Sequence, residues 1–256
     1  MTERSLRPLF ASPRIGKVND LFFSIAGIGA RELELIAAQP WARDLELFRL
    51  GGSALDHAAL SALQRLLWAN TKITTLKLSN VRFRAHALEA LCMSDKATLD
   101  ITRGRFAGNQ VARLLECSPF REVRCKDCEI GPGELVPLTH MSPSLEVLDL
   151  EMPAIYDADI EALGAADAHL RELRIDSTPC LSDRSLIALS TSTWFADLER
   201  LTVSGEFSNA EVERLELAWF PRSSDTLRVE NFHGLTDGIC QRWVDREARI
   251  AHTAPE

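Results

Sequence analysis

Nine times along its length, this chain repeats one spacing of apolar residues: apolar, one residue, apolar, four residues, apolar, four residues, apolar, two residues, apolar. Leu148, Leu150, Ile155, Ile160 and Leu163 carry the cleanest copy. Leu21, Phe23, Ile28, Leu33 and Ile36 form the first, and Phe48, Leu50, Leu55, Leu60 and Leu63 the second. Then come Leu76, Leu78, Phe83, Leu88 and Leu91; Leu99, Ile101, Phe106, Val111 and Leu114; and Val123, Cys125, Ile130, Leu135 and Leu138. After the copy at Leu148 the spacing slips in places. Leu173 and Ile175 precede Leu181, Leu186 and Leu189; Leu201 and Val203 precede Phe207, Val212 and Leu215; Leu227 and Val229 precede Leu235, Cys240 and Trp243. Successive copies begin 27, 28, 23, 24, 25, 25, 28 and 26 residues apart.

A period of that size belongs to stacked repeat architectures. Within each copy, two periodicities follow in fixed order. The apolar–x–apolar pair has the period of a strand with one buried face. The final pair, such as Ile160 and Leu163, is three apart and shares one face of a helix. Each repeat is therefore predicted to be a short strand, a turn and a short helix. Neither element buries its apolar stripe alone, so repeats must stack, closing a core between strands and helices.

Aspartates recur where each turn should enter its helix: Asp157, Asp183 and Asp237. A carboxylate there can accept from the first free N–H groups of its own helix, so capping is the expectation, with a metal or catalytic role as the alternative. Trp41, Trp68 and Trp194 fall where each helix returns toward the next strand, and are read as core or rim packing between repeats, with a ligand-stacking role as the alternative.

The stretch from Leu170 to Ser190 resembles the cysteine-containing and ribonuclease-inhibitor-like subclasses of leucine-rich repeat. Leu170, Leu173, Ile175, Leu181, Ser182, Asp183, Leu186, Leu189 and Ser190 match the repeat unit residue by residue. The resemblance runs over roughly residues 20 to 243. It implies an α/β fold: a leucine-rich-repeat solenoid, or horseshoe, of about nine irregular strand-turn-helix repeats with a parallel concave sheet. Residues 1–20 would form an N-terminal cap, 21–243 the solenoid, and 244–256 a C-terminal cap and tail. Of the Asn or Cys that such repeats carry after the strand only Cys128 is kept; Ala26, Ser53, Val81, Gly104, Pro153, Thr178, Glu206 and Phe232 stand at the other positions, with Ser53 and Thr178 as polar stand-ins. The turn side is therefore expected to be irregular. The Ala-rich helices are loosely similar to those of GALA-type effectors of plant-pathogenic bacteria. Residues 1–20 are too short for the F-box module that accompanies those repeats.

The chain has 256 residues, 46% hydrophobic and 26% charged, which suits one folded domain filled by the repeats. A net charge of −8 argues against nucleic acid as partner. No apolar run approaches a membrane span and no secretory leader is visible, so a cytoplasmic protein is expected, with delivery into a host cell as an effector as the alternative. Six cysteines do not read as a disulfide framework at this length. Cys125 and Cys128 are read as core thiols, with a redox pair or a metal site as alternatives; the metal reading lacks further ligands. Cys92, Cys117, Cys180 and Cys240 are read as small apolar fillers. The six histidines form no ligand pair, and no nucleophile elbow, P-loop, dinucleotide glycine pattern or zinc-protease motif is present. No enzyme activity, catalytic residue, metal or cofactor is therefore assigned.

The residue between each inward strand pair must point outward. That column reads Phe22, Arg49, Lys77, Asp100, Arg124, Asp149, Arg174, Thr202 and Arg228. From Lys77 to Arg174 its signs alternate, and Lys126, Glu151 and Asp176 continue the mixture one column on. With strands about 4.8 Å apart, the plain reading is a lateral ion ladder in which each charge serves its neighbours. The functional reading is a polar surface for a protein partner, engaged on the concave side where solenoids usually bind. The candidate partner-binding residues are Arg49, Lys77, Asp100, Arg124, Lys126, Asp149, Glu151, Arg174, Asp176 and Arg228. The expected function is a non-enzymatic protein–protein interaction module. The alternatives are an inhibitor or immunity protein neutralising a basic enzyme, and a ubiquitin-ligase substrate receptor delivered as a bacterial effector.

Overall fold

Every apolar–x–apolar pair forms a strand. The computed structural model describes residues 19–24, 28–52, 54–70, 72–83, 98–106, 108–176, 181–219 and 226–231. The strands are β1 (Asp20–Ser24), β2 (Leu47–Gly51), β3 (Thr75–Ser79), β4 (Thr98–Thr102), β5 (Glu122–Lys126), β6 (Val147–Glu151), β7 (Glu172–Asp176), β8 (Arg200–Gly205) and β9 (Thr226–Asn231). They lie in chain order in one nine-stranded, all-parallel sheet. The register sets equivalent positions of successive repeats side by side, as with Leu76, Leu99, Val123, Leu148 and Leu173. Two inward columns result, running from Leu21 to Leu227 and from Phe23 to Val229, and no member is more than 9% exposed. A one-residue slip in any strand would turn its apolar pair to solvent, so burial fixes the register.

The return path of most repeats is helical. The described helices are α1 (Ala30–Ala37), α2 (His57–Ala69), α3 (Gln110–Cys117), α4 (Asp157–Ala165), α5 (Asp183–Ser190) and α6 (Asn209–Trp219). Their expected apolar pairs, from Leu33 and Ile36 to Val212 and Leu215, are buried in the same core as the strands. Close contact between helices rests on a small residue: a Cβ on Gly164 of α4 would lie 2.7 Å from the Ala188 carbonyl oxygen of α5. The architecture is thus α/β and solenoid-like. No helix among the described residues is long and apolar enough to cross a membrane. The terminal cap segments lie almost wholly outside the described residues, as do Leu88, Leu91, Leu235, Cys240, Trp243 and Asp237.

Four expectations need correction. The repeat after β5 has no helix. Leu135 and Leu138 are buried as expected, but the backbone from Gly131 to Thr139 is built of turns. Pro132 and Pro137 remove amide donors, and Gly133 takes a left-handed φ of 75°. Second, the turn side is regular after β2, β3, β4 and β5. Gly52, Asn80, Arg103 and Asp127 follow their strands with φ between 51° and 69°. Each N–H then donates to the end of the next strand: to Ser79, Thr102, Lys126 and Glu151 at 2.7–2.9 Å. A second short parallel ladder joins Ala54–Leu55 to Arg82–Phe83 and continues through Arg105 to Glu129. Backbone hydrogen bonds therefore do the work that the missing Asn side chains leave open.

Third, Asp157 and Asp183 serve the neighbouring repeat and not their own helix. Asp157 accepts from the Ser182 N–H at 2.9 Å and from the Ser182 and Ser185 hydroxyls at 2.6 Å. Burial opposes its ionisation, but those hydrogen bonds outweigh burial and hold the carboxyl below its usual value. Asp183 accepts from the Ser208 N–H at 2.6 Å. Two other acids reach backwards. Asp159, fully buried, accepts from the N–H groups of Leu135 at 2.9 Å and Tyr156 at 3.2 Å. Glu134 accepts from Val111 and Gln110 at the start of α3, while burial pushes its carboxyl above the usual range. Fourth, Cys117, read as a small apolar filler, is disulfide-bonded. Trp41 and Trp194 are core residues, while Trp68 on α2 is 54% exposed.

Candidate functional site

The face of the sheet turned away from the helices is lined by the odd strand positions. Its central column follows the register without a break: Phe22, Arg49, Lys77, Asp100, Arg124, Asp149, Arg174, Thr202 and Arg228. Lys126, Glu151 and Asp176 form the column beside it. The structure therefore brings all ten candidate residues onto one surface, in two adjacent rows. Arg228 is placed by its backbone register alone.

The ions do not pair as the alternating column suggests. Lys77 reaches Asp100 laterally at 3.0 Å, and Lys126 reaches Glu151 at 2.9 Å. Arg124 instead turns along its own strand to Glu122, its Nε donating at 2.6 Å. Glu122 is held for this by the Thr98 hydroxyl at 2.9 Å. Arg174 likewise turns along its strand to Asp176 at 2.5 Å and stands 4.0 Å from Asp149. Arg49 pairs with Asp20 and lies 5.8 Å from the centre of the exposed Phe22 ring. The lateral ladder is therefore broken around β6. These pairs are exposed and screened by water, so the choice between lateral and axial partners costs little and follows local reach.

Asp149 is left between two arginines that face elsewhere. One of its carboxylate oxygens is buried and accepts no hydrogen bond. Burial raises its pKa, and Arg174 and Arg124 only partly offset this. Because the folded-state pKa is raised, the carboxyl contributes most stability below its unfolded value and loses it as pH rises through the folded value. Asp149→Asn is therefore expected to unfold at the same urea midpoint as the parent near pH 3 and at a higher midpoint at pH 7. Equal midpoints at both pH values would show that water satisfies the orphaned oxygen.

A further row was not foreseen. Arg121, Glu146, Arg171 and Glu199 sit just before β5, β6, β7 and β8, with alternating signs. Arg121 bonds Glu146 at 2.7 Å, and Arg171 lies 3.8 Å from Glu146 and bonds Glu199 through Nε at 2.8 Å. This row borders a depression of about 580 Å³ whose floor includes Glu122, Arg124 and Glu172. The signal was available in the sequence, since the row repeats with the strand period. It was missed because those residues precede the apolar pair. Among the described residues, no group of three or more His, Cys, Asp or Glu side chains could hold a metal ion.

No family model matches the chain, and no curated protein matches it. Among solved structures, the chain is similar to a structural-genomics crystal structure of a protein from Bacteroides fragilis. The TM-score is 0.53 at 12% sequence identity, covering 88% of this chain and 68% of that one. At that identity the likeness is one of fold.

Proposed function

We propose that the chain is a leucine-rich-repeat horseshoe that acts as a non-enzymatic interaction module, binding a protein partner through the open, concave face of its sheet. One observation carries the reading. Side chains along this face are held at strand spacing in two adjacent rows of fixed charge, from Arg49 and Lys77 to Arg174 and Asp176. A partner of matching charge pattern would find those positions already ordered. The surrounding rows of paired charges would set register and exclude ill-matched partners more than add affinity.

The test is capture from lysate of the native cell, with the Arg124→Glu/Arg174→Glu double variant as the comparison bait. Both residues are exposed and neither is in the core, so the variant should fold. Binding is expected to fall at least about tenfold, the equivalent of about 1.4 kcal/mol. Full recovery of the same partner by the variant would remove this face as the binding site. The net charge of −8 also favours a narrower form of the reading, in which a basic enzyme is neutralised. In that form the affinity weakens steeply between low and physiological salt.

A further inference from the structure

We infer that the charged row before β5, β6, β7 and β8 is a docking surface for a second copy of this chain, met across a two-fold axis. The row consists of Arg121, Glu146, Arg171 and Glu199. It lies outside the ten residues proposed for partner binding and does not depend on that reading. Its geometry is fixed by the backbone. Glu146 donates its N–H to the Arg121 carbonyl oxygen at 2.8 Å, Arg171 to that of Glu146 at 2.8 Å, and Glu199 to that of Arg171 at 2.7 Å. The parallel ladder thus extends one residue beyond the strands, and the charges recur at the strand spacing of about 4.8 Å. The four side chains are between 31% and 62% exposed. Their ion pairs leave capacity unused among the described residues. Glu146 is engaged through Oε2, by Arg121 and more distantly by Arg171, and Glu199 accepts through Oε1. The other oxygen of each carboxylate remains for a further donor.

What fits the row follows from the order of its signs. Read from β5 to β8 they run plus, minus, plus, minus; read from β8 to β5 they run minus, plus, minus, plus. A two-fold axis between β6 and β7 reverses the order. It sets Arg121 of each copy opposite Glu199 of the other, and Glu146 opposite Arg171, so every charge meets its opposite. One position into the strands, the same axis sets Glu122 opposite Arg200 and Val147 opposite Glu172, following the sheet register. No like charges meet in either row. Spacing selects against other partners. Along a single strand, same-face residues recur about 6.4–6.8 Å apart. On a helix they recur about 5–6 Å apart and turn away around its axis. Neither keeps step with four charges about 4.8 Å apart, whereas a second copy carries the same spacing. The contact is small and polar, which makes the dimer a weak, transient one.

The experiment is sedimentation equilibrium of the intact chain at about 0.1 M salt, where the repulsion between two acidic bodies is screened beyond about 10 Å. A monomer–dimer equilibrium is expected between about 10 μM and about 1 mM. Arg121→Glu sets a carboxylate opposite Glu199 at both ends of the paired rows, and Glu199→Arg sets a guanidinium opposite Arg121. Each variant alone is expected to dimerise at least about tenfold more weakly than the parent. Mixed in equal amounts, the two variants are expected to dimerise with each other, because each introduced charge then meets its opposite. Urea midpoints equal to that of the parent show that both variants fold. A parent chain that stays monomeric up to about 1 mM overturns the inference. So does a parent dimer that either variant leaves intact, which places the interface elsewhere. A mixture that stays monomeric, when each variant alone has lost its dimer, overturns the two-fold pairing.

Discussion

Replacing Asn70 by Ala is expected to lower stability by about 3–4 kcal/mol, with the urea midpoint falling accordingly. Asn70 ends α2 and is 1% exposed. Its amide nitrogen donates to the carbonyl oxygens of Ala42 and, at 3.0 Å, Leu45 in the preceding repeat. Its amide oxygen accepts from the N–H groups of Lys72 at 2.8 Å and Ile73 at 3.2 Å, on the approach to β3. One side chain thus satisfies four backbone groups and ties two repeats together. Truncation leaves those groups with no replacement, at about 1–3 kcal/mol for each that water does not reach. Asn70→Asp separates the two halves of the effect, because a carboxylate keeps the acceptor side and loses both donors. An Asn70→Ala variant within about 0.5 kcal/mol of the parent would mean that water enters this joint freely.

Asp159→Ala is expected to cost about 2–4 kcal/mol. This carboxylate is fully buried and joins the entry of α4 to the turn segment at Leu135. That segment has no helix of its own, so Asp159 is a main restraint on its path. Asp159→Asn keeps an acceptor for one N–H and should lose roughly half as much. Because repeats stabilise one another through their interfaces, the loss should also reduce cooperativity, seen as a lower slope of the unfolding transition. Accelerated amide exchange should be confined to residues near 131–139 and the first turn of α4. Exchange rising evenly along the whole chain would contradict a local clamp.

Much of this architecture could be read from local spacing. Strand positions and core columns follow from which side chains are apolar at period two, since a strand buried on one face must hide those residues. The outward rows follow from the same argument, which is why all ten candidate residues fall on one surface. The turn side was harder. Val81 and Gly104 suggest an irregular side-chain ladder, whereas the order comes from left-handed backbone at Asn80, Arg103 and Asp127. Asn and Asp are known to accept that conformation, but Arg103 carries no such signal. Leu135 and Leu138 keep the helical apolar spacing, but Pro132 and Pro137 withhold the amide donors a helix there would need. Burial was retained there without the helix.

The sequence alone determined the repeat period, the strand–turn–return order, the number of parallel strands and the side each residue faces, because these depend on burial patterns within a few residues. Only the tertiary structure decided the polar partnerships. Asp159 with Leu135, Asp157 with Ser182 and Asn70 with Ala42 join residues 24, 25 and 28 positions apart. The same holds for Arg124 and Arg174, whose choice of Glu122 and Asp176 over Asp149 depends on the reach of long side chains across a sheet. Apolar burial is non-directional and leaves a periodic trace in the chain. A hydrogen bond requires a particular donor and acceptor within about 3 Å, and which groups meet is settled only once the repeats have stacked.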